Sequence, residues 1–231
     1  MNDQRGPAVT DPDRLAAVRE LLQPPDGEDA PGSKFSLERI NRLATALLGV
    51  PVSLVSLVDD DRQIFAAQVG VEEPWTEGTP LSHSFCQHVV EDDAPLVVDD
   101  AREDDRLREN LAIPDLDVVA YCGVPIRTAG GRVVGSFCVI DSDPREWSDE
   151  EVQLVEDLAQ LATSELVRRT AQSNDEQLAT VLRRSLRAVL GGFRTVVSAG
   201  DLDVSDRAMY VAVVEREGRR LEQLLDELLT A

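Results

Sequence analysis

The chain has 231 residues, enough for one domain of ordinary size with a smaller appendage. Its formal net charge of −21 repels nucleic-acid phosphates and anionic lipids, so we expect neither nucleic acid nor membrane among its partners. The N-terminal residues lack an apolar stretch, and nowhere do about 18 apolar residues follow one another. We therefore expect a cytoplasmic protein without a signal peptide or a membrane span.

Residues 1–35 are predicted to hold one short helix and a flexible linker. Leu15, Val18 and Leu22 recur at helical spacing. Proline and glycine then concentrate in residues 23–34, which is typical of a linker.

Residues 36–170 are predicted to form one α+β domain. Strand-like runs with β-branched residues occupy Val52–Val58, Gln63–Val69, Leu96–Val98, Val118–Ile126 and Arg132–Ile140. Helical pieces are predicted from Ser36 to about Leu47, over Ser84–Glu91 and over Ala101–Asn110. A long helix follows from Ser148, where the Ser148-x-x-Glu151 spacing predicts a capping box.

Residues 171–231 are predicted to form an antiparallel helical hairpin. A single hairpin cannot bury apolar residues on both of its faces, so we expect a homodimer in which two hairpins make a four-helix bundle. The predicted dimer interface consists of Leu182, Leu186, Val189, Phe193, Val211, Val214, Leu221, Leu225 and Leu228.

Four short motifs occur in the order of one domain family. They are Phe85-Cys86-Gln87-His88, residues 99–110 (DDAREDDRLREN), Tyr121-Cys122-Gly123-Val124-Pro125 and residues 135–141 (GSFCVID). Over about residues 36–170 they resemble a GAF domain of the type that contains FCxH and CVID. The resemblance implies a central antiparallel sheet with flanking helices, and a pocket that binds small ligands.

The C-terminal hairpin resembles the dimerisation and phosphoacceptor helices of sensor histidine kinases. Leu190-Gly191-Gly192 and residues 221–229 (LEQLLDELL) carry this likeness. The phosphoacceptor histidine is missing, because the chain's two histidines, His83 and His88, both precede the hairpin. The sequence also lacks an ATP-binding motif, a nucleophile elbow and an HExxH motif, so we expect that the chain is not an enzyme.

Six residues of the GAF-like region are candidates for ligand binding. They are Trp75, Phe85, Cys86, His88, Tyr121 and Cys122. Each also has a simpler interpretation: the aromatic rings and cysteines suit core packing, and His88 suits a structural hydrogen bond. Cys86 and His88 do not suggest a zinc site, because residues two apart on a helix point about 200° away from each other.

The three cysteines occur in apolar contexts and are expected to be free thiols. Cys122 and Cys138 lie on strands predicted to be adjacent and are expected to be able to face each other. Core packing and a reversible thiol sensor remain two interpretations of this pair. We expect no metal and no covalent chromophore, and the sequence leaves other cofactors unknown.

Together these features predict a signal-transduction sensor. Its GAF pocket would sense a small molecule or a redox state, and a dimeric helical bundle would relay the change to an unidentified signalling protein. Two alternatives stay open: a non-catalytic relative or fragment of a sensor histidine kinase that works with a separate kinase, and a dimerisation scaffold without ligand.

Overall fold

The computed structural model describes residues 8–22, 33–171, 211–212, 215–216 and 219. The contacts of the chain divide it into two units, Met1–Thr170 and Ala171–Ala231. Val211, a predicted dimer-interface residue, is helical with 43% of its surface exposed. The other residues of that predicted interface lie outside the described ranges: Leu182, Leu186, Val189, Phe193, Val214, Leu221, Leu225 and Leu228. The hairpin and the four-helix bundle therefore stay predictions.

A six-stranded antiparallel sheet with helices on both faces forms the first unit, which confirms the predicted α+β domain. The strands are β1 Val52–Val58, β2 Arg62–Val69, β3 Gly78–Pro80, β4 Leu96–Val98, β5 Ala120–Arg127 and β6 Val133–Asp141. They lie in the order β3-β2-β1-β6-β5-β4. The helices are α1 Pro12–Leu22, α2 Ser33–Leu48, α3 Cys86–Asp92, α4 Ala112–Leu116 and α5, whose described part is 149–171; a 3₁₀ turn occupies Leu81–His83. No helix within the described ranges combines the length and apolar character of a membrane span.

The segment between β4 and α4 differs from its prediction. A helix was expected over Ala101–Asn110, but this segment is a series of turns. Its aspartates bond to the local backbone instead: Asp100 accepts from the Arg102 amide at 3.0 Å, and Asp104 from the Arg106 amide at 2.7 Å. Such local bonds compete with helical hydrogen bonds, which explains why the helix does not form.

The two faces of the sheet belong to two separate cores. One core contains apolar residues of α1, α2 and α5, and we call this side the helix face. The other contains residues of α3, α4 and the adjoining loops, and we call it the cavity face. Because neighbouring residues of a strand point to opposite faces, Tyr121 lies on the cavity face and Cys122 on the helix face.

The start of α5 is fixed by the predicted capping box, which the structure confirms. The Glu151 amide donates to Ser148 Oγ at 3.2 Å, and the Ser148 amide donates to Glu151 Oε2 at 3.0 Å. Arg145 adds hydrogen bonds to Glu151 at 2.5 Å and to the Leu48 carbonyl at 2.7 Å. This arrangement ties the first turn of α5 to the end of α2.

Candidate functional site

A cavity of about 550 Å³ opens on the cavity face of the sheet. Its walls come from β1, β2, β5, β6, α3, α4 and the loop that follows β2. Four of the six candidate ligand-binding residues line it: Trp75, Phe85, Cys86 and Tyr121. A volume of this size suits a small organic ligand, for which protein pockets typically measure about 300–1,000 Å³.

The inner wall of the cavity is built around Tyr121, which is almost completely buried. Its ring meets the edge of Phe85, with centroids 5.4 Å apart and planes at 61°. Its hydroxyl donates a hydrogen bond to Cys86 Sγ at 3.4 Å and lies 3.2 Å from Ser136 Oγ. The ring therefore joins α3 to β5 and β6.

Two thiols meet beside this hydroxyl. Cys86 Sγ and Cys138 Sγ are 3.9 Å apart, and both residues line the cavity. The hydrogen bond from the Cys138 thiol, helped by the one from Tyr121, lowers the pKa of Cys86 to about 7, although burial acts in the opposite direction. Burial raises the pKa of Cys138 well above its ordinary value. The pair thus combines one acidic thiol with one that stays protonated.

Gln63 forms a second buried polar centre in the cavity wall. Its side-chain oxygen accepts from Ser84 Oγ at 2.8 Å and from Ser56 Oγ at 3.1 Å. Its amide nitrogen donates to Thr79 Oγ1 at 2.7 Å. Since these partners come from β1, β3 and the segment just before α3, Gln63 links these three parts of the fold from inside the cavity wall.

His83 is the histidine that lines the cavity. Its Nδ1 lies 2.9 Å from Ser82 Oγ, and its Nε2 lies 3.0 Å from Asp115 Oδ2 on α4. The Trp75 ring packs on it with centroids 5.0 Å apart. His83 therefore connects the loop after β2 to α4 across the cavity.

The outer wall of the cavity is acidic. Exposed carboxylates line it at Glu72, Glu73, Asp115 and Asp117. Within the described part of the chain, no lysine or arginine lines the cavity to balance them. The cavity therefore has an acidic entrance and an aromatic interior with thiol and hydroxyl groups.

Two candidate ligand-binding residues do not line this cavity. His88 is on α3 two residues after Cys86, so it points away and contacts Glu91 instead, with Nδ1 to Oε2 at 3.2 Å. Cys122 lies on the helix face of β5. Neither His88 nor Cys122 therefore lines the cavity.

The sequence suggested that Cys122 and Cys138 could face each other, but the structure places them in different cores. In the β5–β6 register Cys138 lies opposite Gly123, and Cys122 lies opposite Val139. Directly opposed residues share a face, so this offset of one residue puts the two cysteines on opposite faces of the sheet. All three cysteines are free and buried, as expected, and Cys138 meets Cys86 instead.

Sequence reasoning missed several residues of the site: Gln63, His83, Ser84, Asp115, Ser136 and Cys138. A partial signal existed for Ser56, Gln63 and Ser136, which are polar residues at inward positions of mainly apolar strands. His83 and Asp115 are 32 residues apart, and no spacing in the sequence links them.

Comparison with known proteins identifies a curated relative from Pseudomonas aeruginosa that is named a cyclic di-GMP phosphodiesterase. It is 32% identical over 137 residues, which are 58% of this chain and 23% of the relative. The GAF domain of an Acinetobacter phosphoenolpyruvate-protein phosphotransferase has a similar fold, with 18% identity, a TM-score of 0.51 and coverage of 71% of this chain and 99% of that one. The GAF domain of PixJ from Thermosynechococcus elongatus, in its blue-light-absorbing form, also has a similar fold. The identity is 16%, the TM-score is 0.50, and the match covers 67% of this chain and 96% of that one.

The first of these comparisons corrects the expectation that the chain is not an enzyme. The relative at 32% identity is named as an enzyme, so the missing sequence motifs do not support that expectation. The chain spans about a quarter of the relative's length, 23%, and the relative's activity is therefore considered below as a proposal.

The protein-family comparison matches the GAF domain to residues 36–166. This range contains most of α2, the whole sheet, every residue that lines the cavity and most of the described part of α5. It amounts to 131 of the 231 residues. The chain therefore belongs to the GAF domain family, whose members typically serve as sensory or regulatory domains in signalling proteins.

Proposed function

We propose that this protein is a cytoplasmic sensor whose GAF cavity binds a small molecule and relays its binding, or a redox change, to a signalling partner. The observation that carries the proposal is the cavity of about 550 Å³ in a GAF domain, with walls from both the sheet and the helices. Trp75, Phe85 and Tyr121 provide aromatic surface, and Gln63 and His83 provide polar groups. A combination of aromatic surface with placed polar side chains is typical of ligand sites.

The cavity lining favours a neutral or cationic ligand with a flat apolar part. The exposed carboxylates of Glu72, Glu73, Asp115 and Asp117 attract positive charge and repel anions. Aromatic faces attract both flat rings and cations. We therefore propose an amine that carries an aromatic ring as the class of ligand.

Strands β5 and β6 provide a route for the relay. Tyr121 and Cys138 lie on the cavity face, whereas Cys122 and Val139 lie on the helix face in one core with α5 residues such as Leu158. A ligand that binds two arrangements of these strands with different affinity shifts the population between them. Helix α5 would carry the shift along the chain toward residues 171–231.

Residues 171–231 are proposed to dimerise as a helical hairpin, related to that of sensor histidine kinases, and to contact the signalling partner. The support is the heptad-like spacing of apolar residues such as Leu221, Leu225 and Leu228. Leu221→Glu would bury an unpaired carboxylate in the dimer at a cost of several kcal/mol. Analytical ultracentrifugation should show a dimer for the wild type and a monomer for the variant, and a monomeric wild type would contradict the proposal.

Tryptophan fluorescence tests the ligand site, because the chain has two tryptophans and one of them, Trp75, lines the cavity. Trp147→Phe leaves Trp75 as the reporter, and Trp75→Phe is the matched control. 2-Phenylethylamine and phenylacetate serve as probes with one ring and opposite charges. We expect the amine to change the emission of the Trp147→Phe variant but not of the control, and phenylacetate to change neither. A response to phenylacetate as strong as that to the amine would reject the proposed ligand class.

Cyclic di-GMP turnover is a second candidate function, favoured by the 32% identity with the relative of that name. It is tested by incubating the chain with cyclic di-GMP and Mg²⁺ or Mn²⁺ and measuring the linear dinucleotide. Product formed faster than with heat-denatured chain supports this candidate, and product at the same rate rejects it for this chain.

A further inference from the structure

We propose that Cys86 and Cys138 are a peroxide-responsive thiol pair that forms a reversible disulfide across the wall of the cavity. The two sulfurs are 3.9 Å apart, on α3 and β6, and come from positions 52 residues apart in the chain. Both cysteines are free. At this distance the sulfurs are in contact, and a disulfide requires them to approach to about 2.0 Å.

The cavity gives an oxidant access to Cys86, the member of the pair that keeps a small exposed surface. Cys86 keeps 2% of its surface exposed, whereas Cys138 is 0% exposed, so an oxidant reaches Cys86 first. Both nevertheless line the cavity, which is far larger than a hydrogen peroxide molecule. The cavity therefore selects small neutral oxidants over large or anionic ones, since its entrance is acidic.

The hydrogen bonds at the pair determine which sulfur reacts first. Cys86 Sγ accepts from the Tyr121 hydroxyl at 3.4 Å and from the Cys138 thiol. These donors stabilise the thiolate and lower the pKa of Cys86 to about 7, whereas burial keeps Cys138 protonated. Because the thiolate is the nucleophile, Cys86 is the attacking residue and Cys138 the resolving one.

The reaction has two steps. In the first, the Cys86 thiolate attacks one oxygen of hydrogen peroxide, the O–O bond breaks, and the leaving hydroxide takes up a proton to become water, which leaves a sulfenic acid on Cys86. In the second, the Cys138 sulfur attacks Cys86 Sγ and expels hydroxide, which leaves as water with the Cys138 proton. In total two thiols are oxidised to a disulfide, and one peroxide is reduced to two waters.

The disulfide would change the cavity itself. The sulfurs must move toward each other, so α3 is drawn toward β6, and the Tyr121 hydroxyl loses its thiolate acceptor. This inference develops the redox part of the proposed function, but it requires no bound ligand. Failure of the thiol experiment would leave the ligand proposal intact, and failure of the probe-binding experiment would leave the thiol pair intact.

Peptide mapping of the full chain tests the pair. The reduced, ligand-free protein is treated with hydrogen peroxide, remaining thiols are blocked with N-ethylmaleimide, and the digest is analysed by mass spectrometry without reductant. We expect a cross-linked peptide that joins Cys86 to Cys138, with the loss of two hydrogen atoms, and its disappearance after treatment with dithiothreitol. Cys122 should remain available to the blocking reagent after denaturation.

Cys122→Ala is the matched control, because Cys122 lies on the opposite face of the sheet. This variant should form the cross-link as the wild type does, and Cys138→Ala should lose it and accumulate sulfenic acid on Cys86. Mapping in the wild type decides the question even if a cysteine variant does not fold. The proposal is overturned if both thiols survive an excess of peroxide, if oxidation gives sulfinic acids alone, or if the disulfides join different chains.

Discussion

The ring of Tyr121 lies across the backbone of Gly123, two residues further along β5. A Cβ atom built on Gly123 would lie 2.5 Å from Cζ of that ring and closer still to the hydroxyl oxygen. Alternate residues of a strand share a face, so only a residue without a side chain leaves room for the ring. This contact gives the Tyr-x-Gly part of the motif a physical reason: the glycine allows the tyrosine hydroxyl to reach Cys86 and Ser136.

Gly123→Ala should destabilise the domain by about 1–3 kcal/mol, because the added methyl group displaces the buried Tyr121 ring. Gly130→Ala is the control, since the nearest atom to its added methyl group, Thr128 Oγ1, is 3.8 Å away. Urea unfolding measures the free energy of unfolding of both variants, and that of the control should stay within about 0.5 kcal/mol of the wild type. Equal stability of the two variants would show that the Tyr121 ring moves aside freely.

Tyr121→Phe should make the Cys86 thiol less acidic. The hydroxyl donates to Cys86 and contributes to its pKa of about 7, after the larger effect of Cys138. Without it the pKa rises, and alkylation of Cys86 by iodoacetamide at pH 7 should slow by about twofold to tenfold. Peptide-resolved alkylation rates between pH 5 and 10 measure the shift. An unchanged pH profile in the variant would contradict the assigned hydrogen bond.

Cys122→Ala should reduce the loss of stability at alkaline pH. Burial, followed by the charges of Glu156 and Glu151, raises the pKa of Cys122 to about 12 from its ordinary value of 9.0. Between pH 9 and 12 the unfolded chain loses this proton while the native chain keeps it, so the free energy of unfolding falls as pH rises, by about 1.4 kcal/mol per pH unit. Below pH 9 the thiol is protonated in both states and has no such effect.

Urea unfolding at several pH values measures this difference. Between pH 9 and 12 the free energy of unfolding of the variant should fall less steeply with pH than that of the wild type, by about 1.4 kcal/mol per pH unit. Below pH 9 the curves of the two proteins should run parallel. Parallel curves over the whole range would show that Cys122 ionises in the native protein as readily as in the unfolded chain.

Ser148→Ala should destabilise the start of α5 by about 1 kcal/mol, because the Glu151 amide loses its acceptor. Ser164→Ala is the control on the same helix: its hydroxyl is exposed and donates to the Gln160 carbonyl, so its loss should cost less than about 0.5 kcal/mol. Thermal unfolding of both variants gives the comparison. A Ser148 variant as stable as the control would mean that Arg145 alone holds the helix start.

Local patterns determined most of the described fold in advance. The limits of β1 and β4 coincide with their predictions, because β-branched runs bounded by turn residues depend on neighbours within a few positions. The turn between β5 and β6 is also local, since Gly131 adopts there a positive φ of +81°, which glycine tolerates without strain. The capping box at Ser148 is equally local. By contrast, the helix predicted over residues 101–110 does not form, because hydrogen bonds from backbone amides to nearby aspartate side chains replace the helical hydrogen bonds.

The composition of the cavity wall was decided by the tertiary structure. Trp75, Phe85, Cys86 and Tyr121 were identified through the resemblance to a family, but the sequence selected His88 where the fold uses His83. It also suggested that Cys122 could face Cys138, but a register offset of one residue separates these two, and Cys86 of α3 contacts Cys138 instead. Hydrophobic periodicity tells which residues turn inward within one element. Which inward residues then meet depends on strand register and on how α3 and α4 pack over the sheet. The contacts His83–Asp115 and Cys86–Cys138 join residues 32 and 52 positions apart, which no local pattern connects.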